Sequence, residues 1–362
     1  MLSITLEQLL YGNYIRYDTL QTLTLSAFAN SDAEMCNIYI DMANMLRPLY
    51  GTNYNISVEN YTTIASSFIN LCAHMRAYYR SRHRVETRIY MVYSDNLGEV
   101  PRKFYNDYNA SWVNNFMSKP NITKMIKDNL DLLRILCPYL NDIFLIETTN
   151  EPAVAIYDRI NKDEILFPGI PNIIITKDVY AFQLPAMKMN TVIFRPAKKE
   201  GMDTSFMINT PNVLVSYMQS THRQGGATID LAANISPELL SLFMAMTNVP
   251  SRDVKSVYNA NKAIAVINNL IQNHHIVDGY NFVQALVMVE QQIQPNLRSR
   301  PGQQFNVLAR YKAIDLVFQH SLYMNTPECL NEAYLVRKID DNSVREINNK
   351  YFVSNPLDLN RL

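Results

Sequence analysis

The sequence predicts an α/β fold, a mainly parallel sheet flanked by helices, followed by a C-terminal helical region. Three observations lead there. Short runs of β-branched and aromatic residues, each the size of a buried strand, end on an acid at Asn37 to Asp41, Arg88 to Asp95 and Asn172 to Asp178. These runs alternate with stretches whose apolar residues recur every three or four positions, the order expected of βαβ units. Beyond about Lys199, strand-length runs give way to helical spacing. The chain therefore divides into an α/β domain over 1–200, a helical region over 201–330 and a tail over 331–362.

Bulk properties narrow the classes. With 362 residues, 48% of them hydrophobic, the chain can bury a large core and has room for two domains of roughly 150 residues each. Lys+Arg and Asp+Glu both number 33 and the pI is near 7.0, so no global basic field draws in nucleic acid. Cys36, Cys72, Cys137 and Cys329 form no CxxC pair, which argues against a zinc site or a disulfide framework and for reduced, buried thiols. The N-terminal stretch lacks a basic start with a long apolar run, and no window approaches 18 uncharged apolar residues. A soluble protein made in the cytosol, without a membrane partner, is expected.

Taken in order, Thr5 to Gln8 fits a capping box, opening a helix with Leu6, Leu9 and Leu10 on its apolar side. The strand to Asp41 follows. Ser57 can cap a long helix through Tyr61, Ile64, Phe68, Cys72, Met75 and Tyr79. After the strand to Asp95 and a polar segment, a helix is read from about Asn121 to Leu136, a strand over Ile143 to Ile146, and a helix from Thr149 to Ile160 with Glu151 in its first turn. Ile173 to Ile175 and Val192 to Phe194 are further strands. In the second region, Ser236, Pro237 and Glu238 mark a helix start, and helices follow around Ala263 to Ile271, Phe282 to Ile293 and Leu308 to Leu322. Arg298 to Gln304 reads as a loop, and Ala333 to Lys338 as a strand in the tail.

In an open parallel sheet, reactive groups collect where strands end at their carboxyl edge. Acids there can converge on a divalent cation, because hard oxygen ligands suit Mg²⁺ or Mn²⁺ and two such ions drive phosphodiester cleavage. The bland reading of each is a solvated or capping carboxylate, and Glu151 suits a partner of a helix dipole. The end of the long helix and the turn after it carry Arg76, Arg80, Arg82, His83, Arg84 and Arg88 among Tyr78 and Tyr79. Such a set can track a nucleic-acid backbone, and it equally suits a solvated, dipole-favouring helix end. His274-His275 reads as a helix-end pair, Gly225-Gly226 as a loop, and the methionines Met187, Met189, Met244 and Met246 as core filling or an adaptable contact surface.

The order of features resembles the flap endonuclease and 5′-3′ exonuclease family, a branch of the PIN-like nucleases. The stretches that carry it are IYIDMANMLRPLY from Ile38, SDNLGEVPRKFYNDYNASW from Ser94, NEPAVAIYDRI from Asn150 and TKDVYAFQL from Thr176. The resemblance assigns Asp41, Asp95, Glu151 and Asp178 to metal-ligand positions, and Arg102 and Lys103 to remnants of phosphate contacts. The departures fall on the chemistry. Where the family carries further acids, this chain has Ala153, Val154 and Tyr180. Where it carries a lysine and an arginine, Asn109 and Trp112 stand. Thr247 and Asn248 replace a Gly-Asp pair, and the DNA-gripping glycine turn becomes Val257 to Ala263, with no glycine at all.

A thinned acid set implies a non-catalytic descendant of a nuclease fold, reused as a structural or assembly protein without metal cofactor or small-molecule substrate. Scarce glycine (9) and abundant tyrosine (23) resemble the bias of AT-rich phage genomes. The expected setting is a phage virion, as a tail, neck or collar ring component like those of crAss-like phages, with copies of itself and other subunits as partners. Two alternatives stay open. One is a Mg²⁺-dependent 5′ nuclease using Asp41, Asp95, Glu151 and Asp178, with Asp41 and Asp178 holding the metal. The other is a DNA-binding accessory protein using Arg76, Arg80, Arg82 and Arg84.

Overall fold

A computed structural model of the chain describes residues 34–51, 63–94, 99–148, 150–176, 178–187, 190–195, 198–199, 202–203, 206–208, 239–247, 258–272, 287, 307–324, 331–332 and 341–351. Several sequence expectations lie outside these residues: the helix from Thr5, the Ser57 cap, Asp95, the start at Ser236, the helix over 282–293 apart from Val287, the loop from Arg298, the strand from Ala333, and Cys329, Asn248, Met189, His274, His275, Gly225 and Gly226.

Five strands form the parallel centre of the sheet: β1 (Met35–Asp41), β2 (Glu86–Ser94), β3 (Ile143–Thr148), β4 (Asn172–Ile175) and β5 (Thr191–Arg195). Two short antiparallel strands, β8 (Phe206–Ile208) and β9 (Asn331–Glu332), extend the edges to give the order β8-β5-β4-β1-β2-β3-β9. A separate two-residue ladder pairs β6 (Lys198–Lys199) with β7 (Met202–Asp203). The predicted α/β class is the observed one. All five central strands were legible because each is a buried run with helices on both faces, where parallel strands need no polar alternation.

The period-two alternation sorts the strands onto two cores. Cys36, Ile38 and Ile40 of β1, with Ile89, Met91, Ile173 and Ile175, face the first. It is covered by α1 (Met42–Gly51), α2 (Thr63–His83) and α5 (Pro120–Leu136). Cys72 and Cys137 are buried there, and Asn129 of α5 ties the layer together by accepting from the Ala65 amide of α2 at 3.0 Å.

The opposite face presents three transverse rows, fixed by the register. Nearest the amino edge lie Arg88, Asn37, Asn172 and Thr191, which are register partners in turn. The middle row is Phe144, Tyr90, Tyr39, Ile174 and Ile193. Its aromatic rings stack at 5.1 and 5.0 Å between centroids. Val92 and Asp41 lie at the carboxyl edge. This face is covered by α6 (Pro152–Leu166), α7 (Gln183–Met187) and the C-terminal helices α8 (Leu240–Met246), α9 (Ala260–Gln272), α10 (Val307–Ile314) and α11 (Leu316–Met324). Helices of the predicted helical region thus enter one core with the α/β region: Phe243, Met244, Ile267 and Ile314 are buried with Tyr39, Val154 and Phe182. Met244 and Met246 fill that core.

Three local expectations are corrected. The segment read as polar after β2 contains two short helices, α3 (Glu99–Arg102) and α4 (Ala110–Ser118), separated by Asn109 in the left-handed region at φ 57. The helix read from Thr149 begins at Pro152 with Glu151 as its N-cap, because proline suits the first helical position, where its missing N–H costs nothing. The single helix read over Leu308 to Leu322 is two, broken at Asp315. Its side chain accepts from the Phe318 amide at 2.7 Å, so it caps α11. Gln183 takes the place of a helical turn there, donating to Ile314 O at 3.0 Å and accepting from Leu316 N at 3.1 Å.

Candidate functional site

The strand ends bring Asp41 and Asp178 close through one hydroxyl. Ile40 is in register with Ile175, so the next residues, Asp41 and Thr176, emerge side by side on the same face of adjacent strands. Thr176 Oγ1 donates to Asp41 Oδ2 at 2.7 Å and accepts from the Asp178 amide at 3.0 Å. The other carboxylate oxygen of Asp41 accepts from the Asn44 amide at 2.9 Å in the first turn of α1. Asp178 Oδ1 accepts from the Tyr180 amide at 3.1 Å, capping the short 3-10 turn over Val179–Phe182. All three side chains are buried. Both acids therefore have structural work at helix or turn starts, the capping reading weighed from the sequence.

Glu151 is buried at the head of α6. Its Oε1 accepts from Asn109 Nδ2 at 3.4 Å, and its amide donates to Asn150 Oδ1 at 2.8 Å. Asn109, the neutral residue at the resembled family's lysine position, thus meets one of the acids that the resemblance singles out. Where that family carries further acids, this chain packs Ala153, Val154 and Tyr180 into the apolar core. Thr247, at the expected glycine, is buried and bonds its hydroxyl to Phe243 O at 2.7 Å. At the expected glycine turn, Asn259 accepts from the Lys262 amide at 2.9 Å as an N-cap of α9. Lys262 lies over the Tyr258 ring at 4.7 Å.

Asp41 accepts hydrogen bonds on both carboxylate oxygens and Asp178 on Oδ1. Among the described residues, no group of three or more His, Cys, Asp or Glu side chains could hold a metal ion. Arg102 is half-buried at the end of α3 and Lys103 is exposed in the following turn.

The basic set lies at the other edge. Helix α2 runs back to the amino ends of the strands, so its last turn opens onto β2 at Glu86. Arg76 donates to Asn141 O and to Asp142 just before β3, and Arg80 makes a two-pronged pair with Glu86 at 2.8 and 2.6 Å. Arg82 and Arg84 are exposed, the latter in the left-handed region at φ 56. The chain thus separates the acids and the arginines across the length of the strands.

Sequence reasoning missed a buried polar network in the amino-edge row. Asp163 of α6 is fully buried and accepts from Asn37 Nδ2 at 3.0 Å, Tyr90 Oη at 3.1 Å and Arg159 at 2.7 Å. Asn37 also donates to Asn172 Oδ1 at 3.2 Å. The signal was present in Asn37 and Asn172, amides opening two otherwise apolar strands, which need partners once buried.

No family model matches the chain, and no curated protein matches it. Among solved structures it is similar to a T5 5′-exonuclease with bound zinc ions, at 13% identity, over 81% of this chain and 90% of that one, with a TM-score of 0.45. It is also similar to the T5 D15 protein co-crystallized with metal ions, at 11% identity, over 79% and 88%, with a TM-score of 0.43. Likenesses this loose carry no argument about activity.

Proposed function

We propose that the chain is a non-catalytic structural or assembly protein on a scaffold resembling the 5′-nuclease fold, serving as a subunit of a phage virion tail or neck ring. One observation carries the non-catalytic part: Ala153, Val154 and Tyr180 are core residues where the resembled family carries acids. The hydrogen bonds that engage Asp41, Glu151 and Asp178 support it further.

An assembly role draws support from the exposed apolar run Ile165, Leu166 and Phe167 at the end of α6, since neighbouring subunits commonly cover such patches. Equal positive and negative charge favours contact between copies over a nucleic-acid partner. The phage setting rests on the glycine-poor, tyrosine-rich composition alone.

Retention of Asp41 and Asp178 on adjacent strands favours a second reading, a Mg²⁺-dependent nuclease with few acids. Incubation of the purified chain with a 5′-flap DNA and Mn²⁺ separates the two. The proposal expects no cleavage; cleavage lost in Asp41→Asn overturns it. Native mass spectrometry tests the ring, which a monomer at all concentrations would exclude.

A further inference from the structure

The turn between α6 and β4 is built to hold its shape while showing apolar side chains to solvent. Phe167 N donates to Asp163 O at 2.7 Å, and Ile170 N donates to Phe167 O at 3.2 Å across Pro168 and Gly169, the latter at φ 79. Proline and a left-handed glycine at those two positions preset a tight turn. Its base is fixed as well, because the Asp163 side chain sits in the buried amino-edge network. At the tip Ile165 is 81% exposed and Leu166 67%, while Phe167 is steadied by the Arg88 guanidinium, 4.3 Å from its ring centroid. Groups held out on a preset turn lose little freedom when a partner covers them.

We infer that this turn is the centre of a two-fold contact, in which the amino edge of one copy of the chain packs against the same edge of a second copy. The inference rests on the assembly reading above and names its partner and face. The charges at this edge decide the occupant. Arg82 and Arg84, at and just past the end of α2, are exposed and make no ion pair among the described residues. Arg84 holds a left-handed position that glycine usually takes. Glu34 and Glu164 are exposed at the same edge, Glu34 beside β2 through the bond from Glu86 N to its carbonyl at 2.8 Å, and Glu164 next to Ile165. A surface of anionic lipid or nucleic acid is met by cations alone. An apolar centre within a rim of both signs is instead self-complementary, which a two-fold interface requires. Three apolar side chains fall short of the roughly 800 Å² per partner of a standard interface, so the charged rim belongs to the face and the contact is weak and reversible.

Sedimentation velocity of the full chain over about 1 to 100 µM tests this. A concentration-dependent dimer is expected, and Ile165→Ser combined with Leu166→Ser is expected to raise its dissociation constant at least about tenfold. Both residues are exposed, so circular dichroism and the melting temperature of this variant should match the wild type. Arg84→Glu, a second variant, is expected to weaken the dimer by making the edge more acidic. Association that either variant leaves unchanged overturns this face and leaves the assembly reading standing. A wild-type chain that stays monomeric throughout overturns both, and its sedimentation with phosphatidylglycerol vesicles, lost in the serine variant, would assign the face to a lipid surface.

Discussion

Thr176 Oγ1 bridges Asp41 and the amide of Asp178, donating at 2.7 Å and accepting at 3.0 Å, so a single hydroxyl joins two of the strand-end acids. Thr176→Val keeps the shape and removes both bonds. The Asp41 carboxylate, which is buried, then loses the hydroxyl that donates to its Oδ2. We expect a loss of about 1 to 3 kcal/mol in urea unfolding. Asp41→Asn should cost less, about 1 kcal/mol, because the amide oxygen can still accept from Asn44 and the Thr176 hydroxyl can turn to accept. A Thr176→Val variant as stable as the wild type would show that the bridge does not stabilise this edge.

Restoring acids where the resembled nucleases carry them should damage the protein and supply no activity. Val154 and Tyr180 are fully buried among Phe182, Phe243 and Ile314. A carboxylate there has to be protonated or desolvated, so Val154→Asp and Tyr180→Asp should each cost more than about 3 kcal/mol. Circular dichroism melts report the loss directly. A folded Val154→Asp variant that gained Mn²⁺-dependent cleavage would reverse the proposal for this scaffold.

The thiols give a check on packing that needs no substitution. Burial pushes Cys137 up to about 12 and raises Cys36 and Cys72 well above the ordinary thiol value. Only the thiolate attacks, so all three should resist iodoacetamide in the native chain at pH 8 and react once it is unfolded. Peptide mapping of labelled protein distinguishes them from Cys329. Rapid native labelling of Cys72 would show that the layer formed by α2 and α5 opens readily.

The sheet was legible because its signal is local: runs such as Ile173 to Ile175 are apolar through and through, as strands covered on both faces must be. The two sides of Asp41 were also visible, since an acid that ends a strand and starts a helix suits both a ligand and a cap. What the chain order hid is pairing over distance. Nothing near Thr176 announces Asp41, which lies 135 residues earlier, and nothing near Asn109 announces Glu151. Only the register of β1 on β4 makes the first pair, and the turn at Asn109 the second. The Asp315 break was missed because its apolar periodicity continues unbroken; the interruption comes from Gln183, a residue of another element.

Asp163 sets the sharpest test of how the amino-edge row is held. Its carboxylate is fully buried, yet it accepts from an amide, a phenol and a guanidinium, so its charge is compensated by Arg159 and its lone pairs are used. Removing the acid leaves Arg159 without its buried counter-charge, and Asp163→Ala should cost about 3 to 5 kcal/mol. Tyr90→Phe removes one donor and leaves the stacked ring, so about 1 to 2 kcal/mol is expected. The two changes touch one network and should not add: in the background of Asp163→Ala the phenol has lost its acceptor, and Tyr90→Phe should then cost little. A double-mutant cycle by urea unfolding measures the coupling. Strict additivity would mean that the Tyr90 hydroxyl is stabilised by something other than Asp163.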